Sequence, residues 1–254
     1  MSSESLQVQI RDQVLRLTIN RPEKRNALNL ALLDEIGNTL SSHSANPDIK
    51  LALLTAAGDK AFAAGGDLHE LDAVRSEAET LAMSRRGRQA LDQIRYFPLP
   101  VIGAINGLAL GGGAELALAC DLRIAAPHAE IGLIQSRLNV TTAWGGGIDL
   151  IDLVGNSRAL HMLITGQRLN AAEALQLGII NAVADDNFET ATENFLAPYL
   201  AHKQQVIRGY KTTALANRKC LHEKLDAAEE SQFVKTWTHK DHWTASAKAL
   251  APKK

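Results

Sequence analysis

Apolar and polar residues alternate over residues 6–10 and again over 14–19, with Arg11-Asp12-Gln13 between them. That pattern predicts two strands joined by a turn. Asn20-Arg21-Pro22-Glu23-Lys24 breaks the alternation, and from Asn29 the spacing of Leu30, Leu33, Ile36 and Leu40 is helical. Residues 51–55 form a short apolar run, as expected of a strand covered on both faces. A Gly/Ala-rich loop is expected through Asp67, then a long helical stretch to about Arg95, polar enough from Arg75 to Arg88 to be irregular. Pro98 and Pro100 introduce a further buried strand over 101–105. Residues 107–113 read as a loop, 114–119 as the start of a helix and 121–126 as a strand. Gly145-Gly146-Gly147 precedes helical spacing at Ile148, Ile151, Leu153 and Val154. Helices over 157–165 and 171–177 each stop at a glycine, Gly166 and Gly178. Residues 179–183 are the last expected strand, and everything beyond Asn187 is helical in pattern.

Alternating strands and helices followed by helices alone predict an α/β core with a helical C-terminal module. The expected division is a core over 1–190 and a helical region over 191–254. The amphipathic, Trp-bearing tail suits packing on a second copy, so a homo-oligomer is expected.

Composition narrows the function. The 254 residues carry 27 basic and 28 acidic side chains, too even a balance for a global field that would hold nucleic acid or an anionic membrane. The 2 cysteines, Cys120 and Cys220, exclude a disulfide framework and point to the cytoplasm. No signal-peptide pattern opens the chain. Leu99 to Cys120 is almost uncharged, yet its glycines, Asn106 and Glu115 suit a buried strand, turn and helix better than a membrane span. The 8 histidines are scattered, with His239 and His242 in a polar, exposed-looking tail, so no metal site is expected.

Two segments can carry chemistry. In Ala61-Phe62-Ala63-Ala64-Gly65-Gly66-Asp67-Leu68, small residues allow a ligand near the backbone. Gly66 can aim its N–H freely there, and Asp67 can cap the next helix. On that segment alone, an ordinary strand-to-helix turn is the better explanation. In the second, Gly111-Gly112-Gly113 opens an apolar helix, leaving unpaired N–H groups at its positive end. That is a place for an oxyanion. Glu115, just inside this helix, is the only charge between Arg95 and Asp121, which predicts a buried or cleft-lining carboxyl with a raised pKa. The glycines fit neither a dinucleotide fingerprint nor a phosphate loop. Ser157, in Gly155-Asn156-Ser157, is expected to be a helix N-cap rather than a nucleophile.

Taken together, residues 20–29, 61–68, 100–121, 163–166 and 171–178 resemble the crotonase, or enoyl-CoA hydratase/isomerase, superfamily over about residues 6 to 185. The resemblance implies a crotonase-like spiral of ββα units with a helical C-terminal region, assembled as a homotrimer or a dimer of trimers. It implies an acyl-CoA thioester as substrate, with coenzyme A carried by the substrate and no separate cofactor. By position, the backbone N–H groups of Gly66 and Gly112 would form an oxyanion hole for a thioester enolate. Lys24, Ala27 and Leu28, with Ala61, Ala63, Ala64, Asp67 and Leu68, would line the substrate site. Glu115 matches the first of the two glutamates of hydratases, and Gln135 stands where the second is expected. Glu130 lies outside the pattern, as a solvated edge charge. The stretch around Trp144-Gly145-Gly146 is similar to the alkylmalonyl-CoA decarboxylase branch, with Trp144 walling the acyl pocket. Decarboxylation or isomerisation through Glu115 therefore ranks above hydration by Glu115 with Gln135 holding water. A catalytically silent CoA-thioester binder is the remaining alternative.

Overall fold

The computed structural model describes residues 4–185 and 187–251. Strands β1 (Leu6–Arg11) and β2 (Val14–Ile19) form a hairpin closed by Asp12 and Gln13, whose φ angles are 53° and 65°. Two central residues with positive φ make the turn whose twist matches that of the flanking strands. Asn29 caps α1 (Leu30–His43), its side chain accepting from the Leu32 amide at 2.9 Å.

The chain then passes three times from one sheet to another and into helical structure. The strands are β3 (Leu51–Ala56) and β4 (Ala61–Ala63), β5 (Val101–Ile105) and β6 (Leu108–Leu110), β7 (Leu122–Ala125) and β8 (Glu130–Gly132). The helices that follow these pairs are α2 (Leu68–Leu71) with α3 (Glu77–Arg95), α4 (Gly112–Ala119), and α5 (Gly146–Val154) with α6 (Asn156–Thr165). After them come β9 (Leu169–Asn170), α7 (Ala171–Gln176) and β10 (Ala182–Val183). One sheet runs β1-β2-β3-β5-β7-β10 and the other β4-β6-β8-β9. This is the ββα spiral that the motifs implied.

Strand β3 shows why the apolar run is continuous. Ala52 and Leu54 face the main core, while Leu51 and Leu53 face a second cluster under α8 (Phe188–Leu200). Helix α8 thus covers the outer face of the first sheet. The 34-residue α9 (Gln204–Trp237) crosses α3 and α5, and α10 (Lys240–Leu250) folds back onto α2 and the 3-10 turn Gln135–Leu138. No helix among the described residues is long and apolar enough to cross a membrane. None of them form a His/Cys/Asp/Glu cluster able to hold a metal ion.

Several local expectations are corrected. The segments expected as loops before Asp67 and over 107–113 each contain a short strand, β4 and β6. Helix α3 is regular from Glu77: Ser76 and Glu79 form a capping box, and its arginines are paired. Arg85 meets Glu230 at 2.7 Å, Arg86 meets Asp34, and Arg88 meets Asp226 and Glu229. The expected strand over 179–183 shrinks to two residues. Ser157 lies in the first turn of α6, whose cap position is Gly155. His242 is buried, its ring 4.4 Å from that of Trp237 and its Nδ1 2.8 Å from the Leu138 carbonyl oxygen. Glu130 lies on β8, between β6 and β9 rather than at an edge, and pairs with Arg168 at 2.7 Å.

Candidate active site

The two glycine turns meet. Gly66 follows β4, and Gly112 opens α4 after Gly111, whose φ of 55° needs no side chain. A methyl group on Gly112 would lie 3.3 Å from the Gly66 nitrogen, and one on Gly113 would overlap the Ala63 carbonyl oxygen. Absence of side chains is therefore what lets these turns nest. The first-turn position of Gly112 leaves its N–H without an intrahelical partner. Around Gly66, the Leu28 pairing uses the Gly65 carbonyl and the Asp67 amide, leaving the Gly66 N–H directed away from it. Both glycines line a cavity of ≈ 300 Å³.

Glu115 lies one turn into α4 and lines the same cavity while only 2% exposed. Helix α4 is apolar all round, and all seven of its residues from Gly113 to Ala119 are buried, so nothing solvates this carboxyl from its own element. Its ligands come from elsewhere. Oε2 accepts from the amides of Trp144 (2.8 Å) and Gly146 (3.0 Å), and Oε1 from Gln135 Nε2 (2.9 Å) and the Ala143 amide (3.4 Å). Burial, reinforced by the nearby Glu229 carboxylate, pushes the Glu115 pKa up to about 7, against the pull of the three amides. The raised pKa expected from sequence is present, and its main cause is the expected one.

The turn 142–147 that supplies those amides is held on every side. Arg95 Nη2 donates to the Trp144 carbonyl (2.6 Å), and Ser84 Oγ to that of Ala143 (3.0 Å). Gly145 has φ 87°, and a methyl there would come within 2.8 Å of Arg95 Nη2. Arg95 itself is buried against Asp149 at 2.8 Å. Burial disfavours the charge of Asp149, but Arg218, Arg95 and His222 outweigh it and hold its pKa well below the carboxylate range. Every polar main-chain group of the turn named here has a buried partner, as a polar segment in a core requires.

Trp144 walls the cavity as expected and is also a core residue. Its indole fills the space left by Gly87 of α3 and lies against Gly112 and Gly66. Ala64, Leu68 and Gln135 line the cavity too. The other expected binding residues sit elsewhere. Leu28, Ala61 and Ala63 are interior, at 1%, 2% and 0% exposure, and do not line it. Lys24 and Ala27 belong to the adjoining turn. Asp67 occupies the cap position of α2 without making a side-chain cap bond; its carboxylate instead takes Arg21 at 3.0 Å, with Lys24 at 3.7 Å.

The cavity has contributors that the sequence did not reveal. Phe233 and Trp237 of α9, Ala249 of α10 and Arg137 complete its wall. The i, i+4 spacing of Phe233 and Trp237 was visible, but not the path that brings α9 here. Glu229, which influences Glu115 from α9, carried no local signal.

With this geometry in place, the comparisons are specific. A family model described as Enoyl-CoA hydratase/isomerase matches residues 9–253. The chain is 37% identical over 183 residues to a crotonyl-CoA hydratase of Syntrophomonas wolfei, covering 72% of this chain and 70% of the relative. It is 28% identical to an ethylmalonyl-CoA decarboxylase of Xenopus tropicalis, covering 88% and 76%. In two further bacterial relatives the matched stretch spans about two thirds of their length, 64% and 66%. The crystal structure of an enoyl-CoA hydratase from Mycobacterium avium subsp. paratuberculosis superposes with a TM-score of 0.83 at 26% identity, covering 97% of this chain and 99% of that one. The chain belongs to the enoyl-CoA hydratase/isomerase family, within the crotonase superfamily of enzymes that act on acyl-CoA thioesters.

Proposed function

We propose that this enzyme generates a thioester enolate by decarboxylating, or by isomerising, an acyl-CoA, and that Glu115 moves the proton. The observation that carries this reading is the pairing of Glu115 with Gln135. The only ionisable side chains lining the cavity are Glu115 and Arg137 among the described residues. Gln135 can hold an oxygen but cannot exchange a proton near neutrality. Hydration asks for one group to activate water and one to protonate carbon.

In decarboxylation of a malonyl-type ester, the bond to the carboxylate breaks and CO₂ leaves. Its electron pair passes into the thioester carbonyl, and the resulting oxyanion lies between the Gly66 and Gly112 amides. Protonated Glu115 then gives its proton to the α-carbon and regains one from solvent. Loss of one such amide donor typically costs roughly 3–4 kcal/mol of barrier. In isomerisation, ionised Glu115 takes the α-proton of a 3-enoyl ester and returns a proton at the γ-carbon. A pKa near neutrality makes both forms available. Arg137 supports a carboxylate-bearing substrate: its Nη2 donates to the Gly166 carbonyl at 2.8 Å, and it has no carboxylate partner among the described residues.

One observation favours the second reading, hydration. Gln135 Oε1 is buried without a partner, an acceptor able to orient a water beside Glu115. The homotrimer belongs to the proposal as well; exposed Leu160 and Ile164 on α6 suit contact between copies.

The test is a substrate panel followed by mass. Methylmalonyl- or ethylmalonyl-CoA is expected to lose CO₂, or a 3-enoyl-CoA to shift its double bond, and Arg137→Leu is expected to raise KM for the malonyl esters selectively. Efficient addition of water to crotonyl-CoA, with the other substrates untouched, would establish the hydratase instead.

A further inference from the structure

Two carboxylates grip the turn 142–147, and they come from distant parts of the chain. Glu115 of α4 takes the amides of Trp144 and Gly146. Glu229 of α9 takes the intervening amide of Gly145, at 2.8 Å, and the Thr142 hydroxyl, at 2.6 Å. The successive amides of residues 144, 145 and 146 thus alternate between the two acids. Little space separates either acid from the turn. A methyl on Gly146 would overlap the Glu115 side chain, and one on Gly147 would come within 2.9 Å of Glu229 Oε1.

The two acids differ in their counter-charges. Glu229 is ion-paired to Arg88 of α3, whose other nitrogen holds Asp226. Glu115 has only neutral donors: three amides and Gln135. Around the pair, Asp226 leads to His222 at 3.4 Å, and His222 to Asp149 at 2.9 Å; Arg95 and Arg218 complete that cluster from α3 and α9. Arg137 lines the cavity on the other side.

We infer that Glu229 is a positioning residue for Glu115: it anchors the turn that ligates Glu115 and, through its own negative charge, keeps the proton on Glu115. A like charge across a single segment of backbone from a carboxyl that is 2% exposed disfavours a second ionised carboxylate. Arg88 decides which of the two stays charged, because the cation touches Glu229 and not Glu115. Helix α9 therefore tunes the acid of a site whose glycines and ligating amides lie between residues 66 and 146. The kinetic part of this inference rests on Glu115 acting as the acid/base; its ionisation does not.

The test titrates Glu115 directly in the full-length protein, by infrared difference spectra of its protonated carboxyl, assigned by loss of the band in Glu115→Gln. Glu229→Gln keeps an acceptor for the Gly145 amide and removes the charge. The midpoint is expected to fall by about one pH unit or more, the scale of coupling between such pairs. Arg88→Gln, which leaves Glu229 without its cation and able to share the proton, is expected to lower it as well. Thr142→Val, which releases one anchor and keeps the charge, is expected to leave it near that of the unaltered protein. The limb of the kcat profile set by Glu115, an alkaline fall for decarboxylation or an acid fall for isomerisation, is expected to move with the midpoint in each variant while KM changes little. An unmoved midpoint in folded Glu229→Gln overturns the inference. Should that variant not fold, an unmoved or raised midpoint in Arg88→Gln overturns it. Shifts as expected together with full activity in Glu115→Gln would instead refute the acid/base role and leave the coupling intact.

Discussion

Replacing Glu115 by glutamine is expected to remove both the chemistry and a penalty that grows with pH. In the folded chain the Glu115 pKa stands at about 7, against an ordinary value of 4.5. The folded state therefore binds this proton more tightly than the unfolded one. Its contribution to stability is complete below pH 4.5 and is lost as pH rises through about 7. At 1.36 kcal/mol per pH unit, the difference between those two values is worth roughly 3 kcal/mol. The amide variant cannot ionise, so it escapes that loss. Its carbonyl can keep the Trp144 and Gly146 donors, and the side-chain amide of Gln135 can turn its unpartnered oxygen toward the new NH₂. Equilibrium denaturation of both proteins, at one protein concentration and at several pH values from 4 to 8.5, measures the gap between them. The gap is expected to widen in favour of the variant by roughly 3 kcal/mol across that range. A gap independent of pH would refute the account of Glu115 as a carboxyl held neutral by burial. Turnover in the variant is expected to fall at least about a hundredfold, the lower range of general acid–base contributions.

Two further substitutions probe the same site. Trp144→Ala empties the space between Gly87, Gly112 and Gly66, and is expected to cost about 3–5 kcal/mol of stability in denaturant titrations; a cost below 1 kcal/mol would show that the site collapses without it. Gln135→Glu places a carboxyl where Nε2 now meets Glu115 at 2.9 Å. It is expected to raise Glu115's proton affinity further and to raise water addition to crotonyl-CoA, and no gain in that addition would remove position 135 from the second-acid role.

The parts of this molecule that were legible in its sequence are those fixed by neighbours along the chain. The hairpin follows from alternation around Asp12-Gln13, α1 from Asn29 and its four spaced apolar residues, and α4 from three glycines ahead of an apolar run. Strands β4, β6 and β9 escaped because two or three residues, mostly small, cannot display a period; their pairing partners make them strands. The polar face of α3 suggested irregularity because its arginines find their acids in α1 and α9, far along the chain. His242 looked exposed for the same reason, since Trp237 and the Leu138 carbonyl cover it only after α10 turns back. Glu115 was readable as an isolated charge in an apolar stretch, whereas Glu229 was one acid among many on a long helix.

The N–H groups of Gly66 and Gly112, which line one cavity, belong to the peptide chain itself, and this shapes what mutation can reach. A single codon change can exchange Gln135, Trp144 or Arg137 for another side chain, but no exchange of residue type except proline deletes a main-chain N–H. On the proposed mechanism, new substrates can therefore be explored at the periphery while the donors that would bear negative charge are inherited intact.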